Sequence, residues 1–366
     1  MIFVLNSGSS SIKYMLGDRR GQVERIGVPG GPAGSHHEAL EQIVAQLRLD
    51  PAGVRAVGHR VVHGGERFSR PTVITDEVLA EIRRLVTLAP LHNPPAIEGI
   101  EAARRLFAGV TQVAVFDTAF HAGLPPAAAT YAIDADLARR YGIRRYGFHG
   151  ISVEYVARRT AELLERPLTE LNLIVLHLGN GASATAVHRG HSVETSMGFT
   201  PLEGLVMGTR SGDLDPSILT FLQQQAGMTA DAVSDLLQHR SGLLGLAGAS
   251  DMRAVLAKHE EVDQQAALAL SVYCHRIRKY VGAYHAVLGH LDAVVFTGGV
   301  GEHAAAVREL SLAGLQSWGI AVDPARNNLR GEAPRMVSFP DARVSVCVVP
   351  TDEEESIAEQ VATLLG

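Results

Sequence analysis

The feature that most limits how this chain can fold is a pattern that occurs twice. An apolar run, Ile2-Phe3-Val4-Leu5, meets a polar glycine-serine stretch over residues 6–11 and leaves through the alternating Ile12-Lys13-Tyr14-Met15-Leu16. About 170 residues later, residues 173–178 enter Gly179-Asn180-Gly181-Ala182-Ser183 and leave through Ala184-Thr185-Ala186-Val187. Period-two alternation around a Gly-rich insert reads as a β-hairpin. Recurrence at half the chain length predicts a duplicated fold.

Helical spacing falls at 36–47, 76–88 and 96–107, the last opened by Asn93-Pro94-Pro95 with Asn93 as N-cap. A short buried strand is expected at 113–116. In the second half, Asp215-Pro216 repeats the cap signature before a helix at 217–225, and 262–291 reads as a long apolar helix. A strand at 294–296 enters Thr297-Gly298-Gly299-Val300-Gly301, and a strand at 344–349 precedes a closing helix at 356–365. Strands alternating with helices predict an α/β protein with mixed sheets. The 366 residues suffice for about two domains. The expected division is 1–121 and 122–355, with residues 356–366 packing back onto the first domain.

Composition excludes several classes. A net charge of −6 argues against a nucleic-acid surface. No apolar run approaches the ~20 residues of a membrane span, and the first residues lack a basic n-region and an h-region, so a cytoplasmic protein is expected. The two cysteines, Cys274 and Cys347, sit in apolar contexts and read as core. Lysines are only Lys13, Lys258 and Lys279, so any phosphate would rest on arginines and backbone amides.

Three Gly-rich stretches at strand ends, 6–11, 179–183 and 297–301, could each aim backbone N–H groups at an anion. None has the P-loop or dinucleotide spacing. Arg60, in His59-Arg60-Val61-Val62-His63-Gly64-Gly65, and Arg210, in Met207-Gly208-Thr209-Arg210-Ser211-Gly212-Asp213, are flanked by glycines and apolar residues, where a guanidinium needs an anionic partner. Both read as turn residues beside strands, and Asp117 ends a strand. His121, His149 and His177 fall in similar turns, yet no zinc motif and no G-x-S-x-G elbow occurs. Glu353, Glu354 and Glu355 open the last helix, where they suit the helix dipole, and one of them could hold a hard cation opposite Asp117.

Taken in order, these segments resemble the acetate kinase family, within the acetate and sugar kinase, Hsp70 and actin superfamily. The resemblance rests on Asn6-Ser7-Gly8-Ser9-Ser10-Ser11-Ile12-Lys13, on residues 192–216, and on 59–66, 116–121, 145–150, 177–183, 296–302 and 351–354. It implies two duplicated actin-like (ribonuclease H-like) α/β domains with mixed sheets and an interdomain cleft, usually in a homodimer. It implies reversible, direct in-line transfer of the ATP γ-phosphoryl group to acetate, giving acetyl phosphate and ADP, with Mg²⁺ or alternatively Mn²⁺. Carried over by position, Arg60, Asp117, His149, His177 and Arg210 would be catalytic. Arg60, Val62, Leu91, Phe148 and Pro201 would hold acetate. Lys13, Gly179, Asn180, Gly181, Asp251, Arg253, Gly298, Gly299 and Gly301 would hold ATP, while Asn6 and Glu353 would serve the metal.

This chain departs from the family pattern at Ile151-Ser152-Val153, where Thr-Ser-His is usual, and at His303-Ala304, where Asn-Ser is usual. The stretch between Leu16 and Arg60 is also short for the family. The competing readings are a propionate or butyrate kinase, a pyrophosphate-dependent variant, and a non-catalytic nucleotide-binding regulator.

Overall fold

The structure, a computed structural model, describes residues 1–90 and 92–366. The chain divides into two units: Met1–Ala122 with Phe148–Tyr155 and Asp352–Gly366, and Gly123–Gly147 with Val156–Thr351. Each unit is built on one six-stranded mixed sheet.

In the first unit, β1 (Ile2–Gly8), β2 (Ser11–Leu16) and β3 (Arg19–Glu24) form an antiparallel meander. β4 (Ala56–Val61) joins β1 in parallel, and β6 (Thr111–Phe116) joins β4 in parallel with the short β5 (Thr72–Val73) at its edge. The order is β3-β2-β1-β4-β6-β5. In the second unit, β7 (Asn172–Leu178), β8 (Ala182–His188) and β9 (His191–Thr195) repeat the meander. They are followed by β10 (Ala293–Thr297), β11 (Arg335–Met336) and β12 (Ser345–Val348), giving β11-β12-β10-β7-β8-β9. Matched strand for strand the two orders are identical, so the duplication expected from the repeated hairpin is present in the fold.

The period-two pattern of β1 explains the layers. Phe3 and Leu5 point into a core formed with Leu40, Ile43, Ala103 and Phe107, which come from helices His36–Leu47 and Asn93–Leu106 and the residue just beyond. Val4 points the other way, into a core shared with Met15, Val113, Val115, Ile357 and Val361. Ile357 and Val361 lie one turn apart on the helix Glu353–Leu365, and both are fully buried. At about 1.5–3 kcal/mol for each buried aliphatic side chain, this stripe fixes that helix to the sheet. Gly58 on β4 is what lets it approach: a Cβ there would lie 2.8 Å from Ile357 Cγ2 and 3.0 Å from Val361 Cγ2. In the second unit the helix Gln264–Leu288 buries Leu270, Tyr273, Cys274, Ile277 and Val281. Both cysteines are buried and free.

Several local expectations shift. The first hairpin is tighter than read, because Asn6, Ser7 and Gly8 continue β1 and only Ser9-Ser10 remain as the turn. Residues 298–301 form no loop; they begin the helix Gly298–His303. Asn93 is not an N-cap: it lies inside the helix start, and its amide grips the 61–65 segment instead. The long helix runs 264–288, not 262–291, because Asp263 caps it by accepting from the N–H groups of Gln265 and Ala266, and Gly289 ends it. The last helix begins at Glu353 because Asp352 accepts from the N–H of Glu355.

Candidate active site

In the first unit, parallel strands deliver their C-terminal ends to one place. Arg60 stands on β4, beside Val115 of β6, and so is a strand residue and not the turn residue its glycine-flanked sequence suggested. Its guanidinium makes a two-pronged contact with Asp117, Nε donating to Oδ1 at 3.2 Å and Nη2 to Oδ2 at 2.6 Å. Arg60 Nη1 donates to Asn6 Oδ1 at 3.4 Å, and Nε lies 3.5 Å from Glu353 Oε2. Asn6 Nδ2 reaches Glu353 Oε2 at 3.5 Å and Glu354 Oε1 at 3.2 Å. One cation thus sits among three carboxylates and an amide. Asp117 is 1 % exposed, and burial pushes its carboxyl up to about 6, with the nearby Glu353 charge adding and Arg60 opposing. Arg60 itself, although burial alone would lower it, is held well above its ordinary value by Asp117 and Glu353.

The backbone around this cluster is tightly determined. The Gly150 N–H donates to the Asp117 carbonyl at 2.9 Å, and a Cβ on Gly150 would sit 2.2 Å from that oxygen, so only glycine fits. The preceding His149 has φ of +60°, a conformation that non-glycine residues rarely adopt and that clusters at functional sites. Phe148 is buried, edge-on to His63 at 5.6 Å, and its carbonyl contacts His121 Nε2 at 3.0 Å. Asn93 Oδ1 accepts from the His63 N–H and its amide donates to the His63 carbonyl, which locks the segment holding Val62. Burial holds His59, His63 and His121 down at about 4, hence neutral near pH 7. Leu91 lies outside the described residues. Lys13 is exposed, opposite Asn6 in the β1–β2 register.

The second unit contributes a different kind of site. His177, near the end of β7, is 9 % exposed and pairs in register with Thr297 and Ser183. After it, the Gly179 N–H closes a turn on the Gly181 carbonyl at 2.9 Å. A cavity of about 460 Å³ brings together Gly179, Asn180, Asp251, Arg253 and Gly299 with apolar Leu243, Met252, Leu256 and Val300, and with His303 and Ala304. Gly181, Gly298 and Gly301 are not on its lining. Asp251 caps the helix Met252–Glu260 and is bound by the exposed Arg253, Nε lying 3.0 Å from Oδ2.

Arg210 lies on the irregular stretch between β9 and the helix Ser217–Gln225. Its Nη1 donates to the Pro201 carbonyl at 2.8 Å. Burial pushes this guanidinium down from its ordinary value, and among the described residues no carboxylate pairs with it.

Sequence reading missed the supports of these groups. Glu302 accepts from the Gly298 N–H at 2.9 Å. Arg308, 1 % exposed, donates to the Gly301 and Glu302 carbonyls and to Asn327, so it satisfies the end of the short helix Gly298–His303. A lone arginine in a helical pattern carries no signal of such a role. Glu354, read with its neighbours as dipole complement, is tied to Asn6.

A six-stranded mixed sheet of the same order, present twice in one chain, defines a duplicated actin-like α/β fold. The comparisons narrow the class. A profile of the acetokinase family matches residues 29–359. The chain is 55% identical to an acetate kinase of Streptomyces griseus over 396 aligned residues, covering 100% of this chain and 96% of that protein. The crystal structure of acetate kinase from Porphyromonas gingivalis superposes with a TM-score of 0.92 at 41% identity, covering 100% of this chain and 99% of that one. A propionate kinase from Francisella tularensis gives 0.91 at 38% identity, covering 98% of each chain. The chain belongs to the acetokinase family.

Proposed function

We propose that the chain is a carboxylate kinase that transfers the γ-phosphoryl group of ATP to acetate, giving acetyl phosphate and ADP. The observation that carries this reading is Arg210, a largely buried cation whose hydrogen-bond partner is a carbonyl and which no described carboxylate neutralises. Such a group is suited to an anionic substrate. An acetate oxygen attacks the γ-phosphorus as the bond to the ADP oxygen breaks. The nucleophile is already a carboxylate near neutral pH, so no general base is required. Catalysis of this reaction is positioning plus electrostatic stabilisation of charge on the three equatorial oxygens. Arg60 and Arg210 supply that charge, Asp117 fixes the plane of the Arg60 guanidinium, and His149 and His177 donate to the phosphoryl oxygens. Val62, Leu91, Phe148 and Pro201 receive the acetate methyl.

Support for a nucleoside triphosphate over pyrophosphate comes from the cavity of about 460 Å³, which is lined largely by apolar groups that pyrophosphate would not use. The turn of Gly179, Asn180 and Gly181, its Gly179 N–H already closed on the Gly181 carbonyl, would contact the phosphates with Lys13 as a further cation, while Asp251, Arg253, Gly298, Gly299 and Gly301 would hold the adenosine side. Asn6, Asp117 and Glu353 offer hard oxygen donors gathered at the strand ends of the first unit. This donor set suits Mg²⁺, or Mn²⁺, better than a soft metal. When bound, the cation would neutralise charge on the nucleotide phosphates.

Exposed Leu137 and Tyr141, one turn apart on the helix Ala135–Tyr141, with exposed Ile133 just before it, and Ile218 and Phe221 on a helix that buries nothing, favour a homodimer. Dependence on ATP suits a cytoplasmic enzyme. The test of the reading is hydroxamate trapping of acyl phosphate by the purified protein, with ATP or pyrophosphate as donor and acetate, propionate or butyrate as acceptor. Acetyl hydroxamate formed with ATP is expected. One methylene in an apolar pocket is worth only about 1–3 kcal/mol, so propionate should react more weakly. A tenfold preference for butyrate, or turnover with pyrophosphate alone, would overturn the assignment of acceptor or donor.

A further inference from the structure

The loop that carries Arg210 has no regular secondary structure between β9 and residue 217, yet it must hold a guanidinium still. Its upstream half is fastened by a cluster that has no part in the proposed chemistry. The Glu203 carboxylate accepts from Arg145 Nη2 at 2.7 Å through Oε1 and from the Tyr131 hydroxyl through Oε2. Arg145 Nη1 donates to the carbonyls of Thr195 at 3.0 Å and of Ser196 and Met197 at 3.3 Å, its Nε lies 3.6 Å from Glu194, and its guanidinium lies over the Tyr131 ring at 5.5 Å. The Tyr131 hydroxyl accepts from the Phe199 N–H at 2.9 Å. Gly198 is packed so closely against this cluster that a Cβ would fall within 2.0 Å of the Tyr131 hydroxyl. Two residues before Glu203 stands Pro201, whose carbonyl accepts from Arg210. The downstream half is closed separately, by Asp213 accepting from the Gly204 N–H at 2.8 Å and from the Tyr280 hydroxyl at 2.8 Å.

We propose that Glu203 is a positioning residue for phosphoryl transfer: held by Arg145 and Tyr131, it fixes the 198–204 segment so that the Pro201 carbonyl aims the Arg210 guanidinium. The physical reason is that a single neutral carbonyl orients Arg210 only as well as its own backbone is oriented. A charge-assisted contact of Glu203 with a forked guanidinium, plus a phenol that spans to Phe199, removes that freedom. A displacement of about 1 Å at a group that acts on the transition state can cost ~10²-fold in rate. This inference rests on the reading of Arg210 as a group that stabilises the transferred phosphoryl.

The test compares Glu203→Gln and Tyr131→Phe with wild type in the acetate and ATP assay, alone and combined with Arg210→Lys. The expected result is a fall in kcat of roughly 10- to 100-fold with the KM for ATP unchanged within about twofold. In the Arg210→Lys background the same substitutions should cost less than about twofold, because interacting residues are non-additive. Tyr131→Phe keeps the ring under Arg145, so it serves if Glu203→Gln does not fold. An unchanged kcat, or a full additional loss in the Arg210→Lys background, overturns the positioning role. Arg210→Lys at wild-type turnover would instead overturn the reading of Arg210, and this inference with it.

Discussion

The two units carry the same strand order but place their arginines in opposite electrostatic states. Arg60 stands on a strand and is surrounded by Asp117, Glu353 and Asn6. Arg210 hangs from an irregular loop with a carbonyl as its partner. The parallel strands therefore place Arg60, whereas Arg210 is placed by the irregular stretch that follows the antiparallel edge strand β9. In the first unit much of the arginine's charge is already balanced by the fold, which stabilises the native state as well as the site. In the second, no carboxylate among the described residues balances it. Two copies of one scaffold thus carry an ion cluster at the strand ends of the first unit and, in the second, an arginine with no carboxylate partner among the described residues.

That contrast predicts different consequences for the same substitution. Arg210→Ala should lower kcat by about 10³-fold or more, in the range that a phosphoryl-stabilising arginine supplies, while the melting temperature stays near wild type. Arg60→Ala should lower turnover comparably and also destabilise the protein by roughly 3–5 kcal/mol, because it strands the buried Asp117. Equal melting temperatures for the two variants in thermal unfolding would abolish the distinction. Next in size, Ile357→Ala should cost about 2–5 kcal/mol by leaving a cavity over β4, read by denaturant unfolding, with the KM for ATP unchanged.

A smaller effect follows from titration in the first unit. His59, His63 and His121 are held at about 4 against an ordinary 6.5, so the unfolded chain binds protons more readily. Their stabilising contribution is full above pH 6.5 and is lost as pH falls toward 4. Asp117 runs the other way. Its carboxyl, raised from 3.8 to about 6, makes folding take up a proton, which favours the native state most at low pH and less as pH rises through 6. The three histidines dominate, so the melting temperature should fall between pH 6.5 and 4, and Asp117→Asn should steepen that fall. Parallel profiles for wild type and Asp117→Asn would show that the carboxyl is not raised. Smallest of all, Ala304→Ser at the rim of the second unit's cavity should shift the KM for ATP measurably, by about two- to tenfold, as one added hydroxyl allows; an unchanged value for ADP and ATP alike would place residue 304 away from the nucleotide.

Much of the fold was legible because it depends on short-range periodicity. The alternation around residues 2–16 and 173–187 predicted both hairpins, and helix 36–47 was read to the residue. What failed was local ambiguity resolved from far away. Asn93 before two prolines looks like a cap, but its amide is taken by His63, thirty residues distant in the chain. Residues 298–301 look like a loop, but Glu302, which accepts from the Gly298 N–H, and Arg308, which binds the end carbonyls, make them the start of a helix.

By itself, then, the sequence determined the duplication, the α/β layering and the identity of the charged side chains, since periodicity and residue type are properties of adjacent positions. Only tertiary structure decided which charges neutralise one another. The pairing of Arg60 with Asp117 spans 57 residues, and that of Asn6 with Glu354 spans 348. Those partners meet because parallel strands end together and the last helix returns to the first sheet over Gly58. Coulomb energy depends on distance in space, and no pattern along the chain encodes that distance.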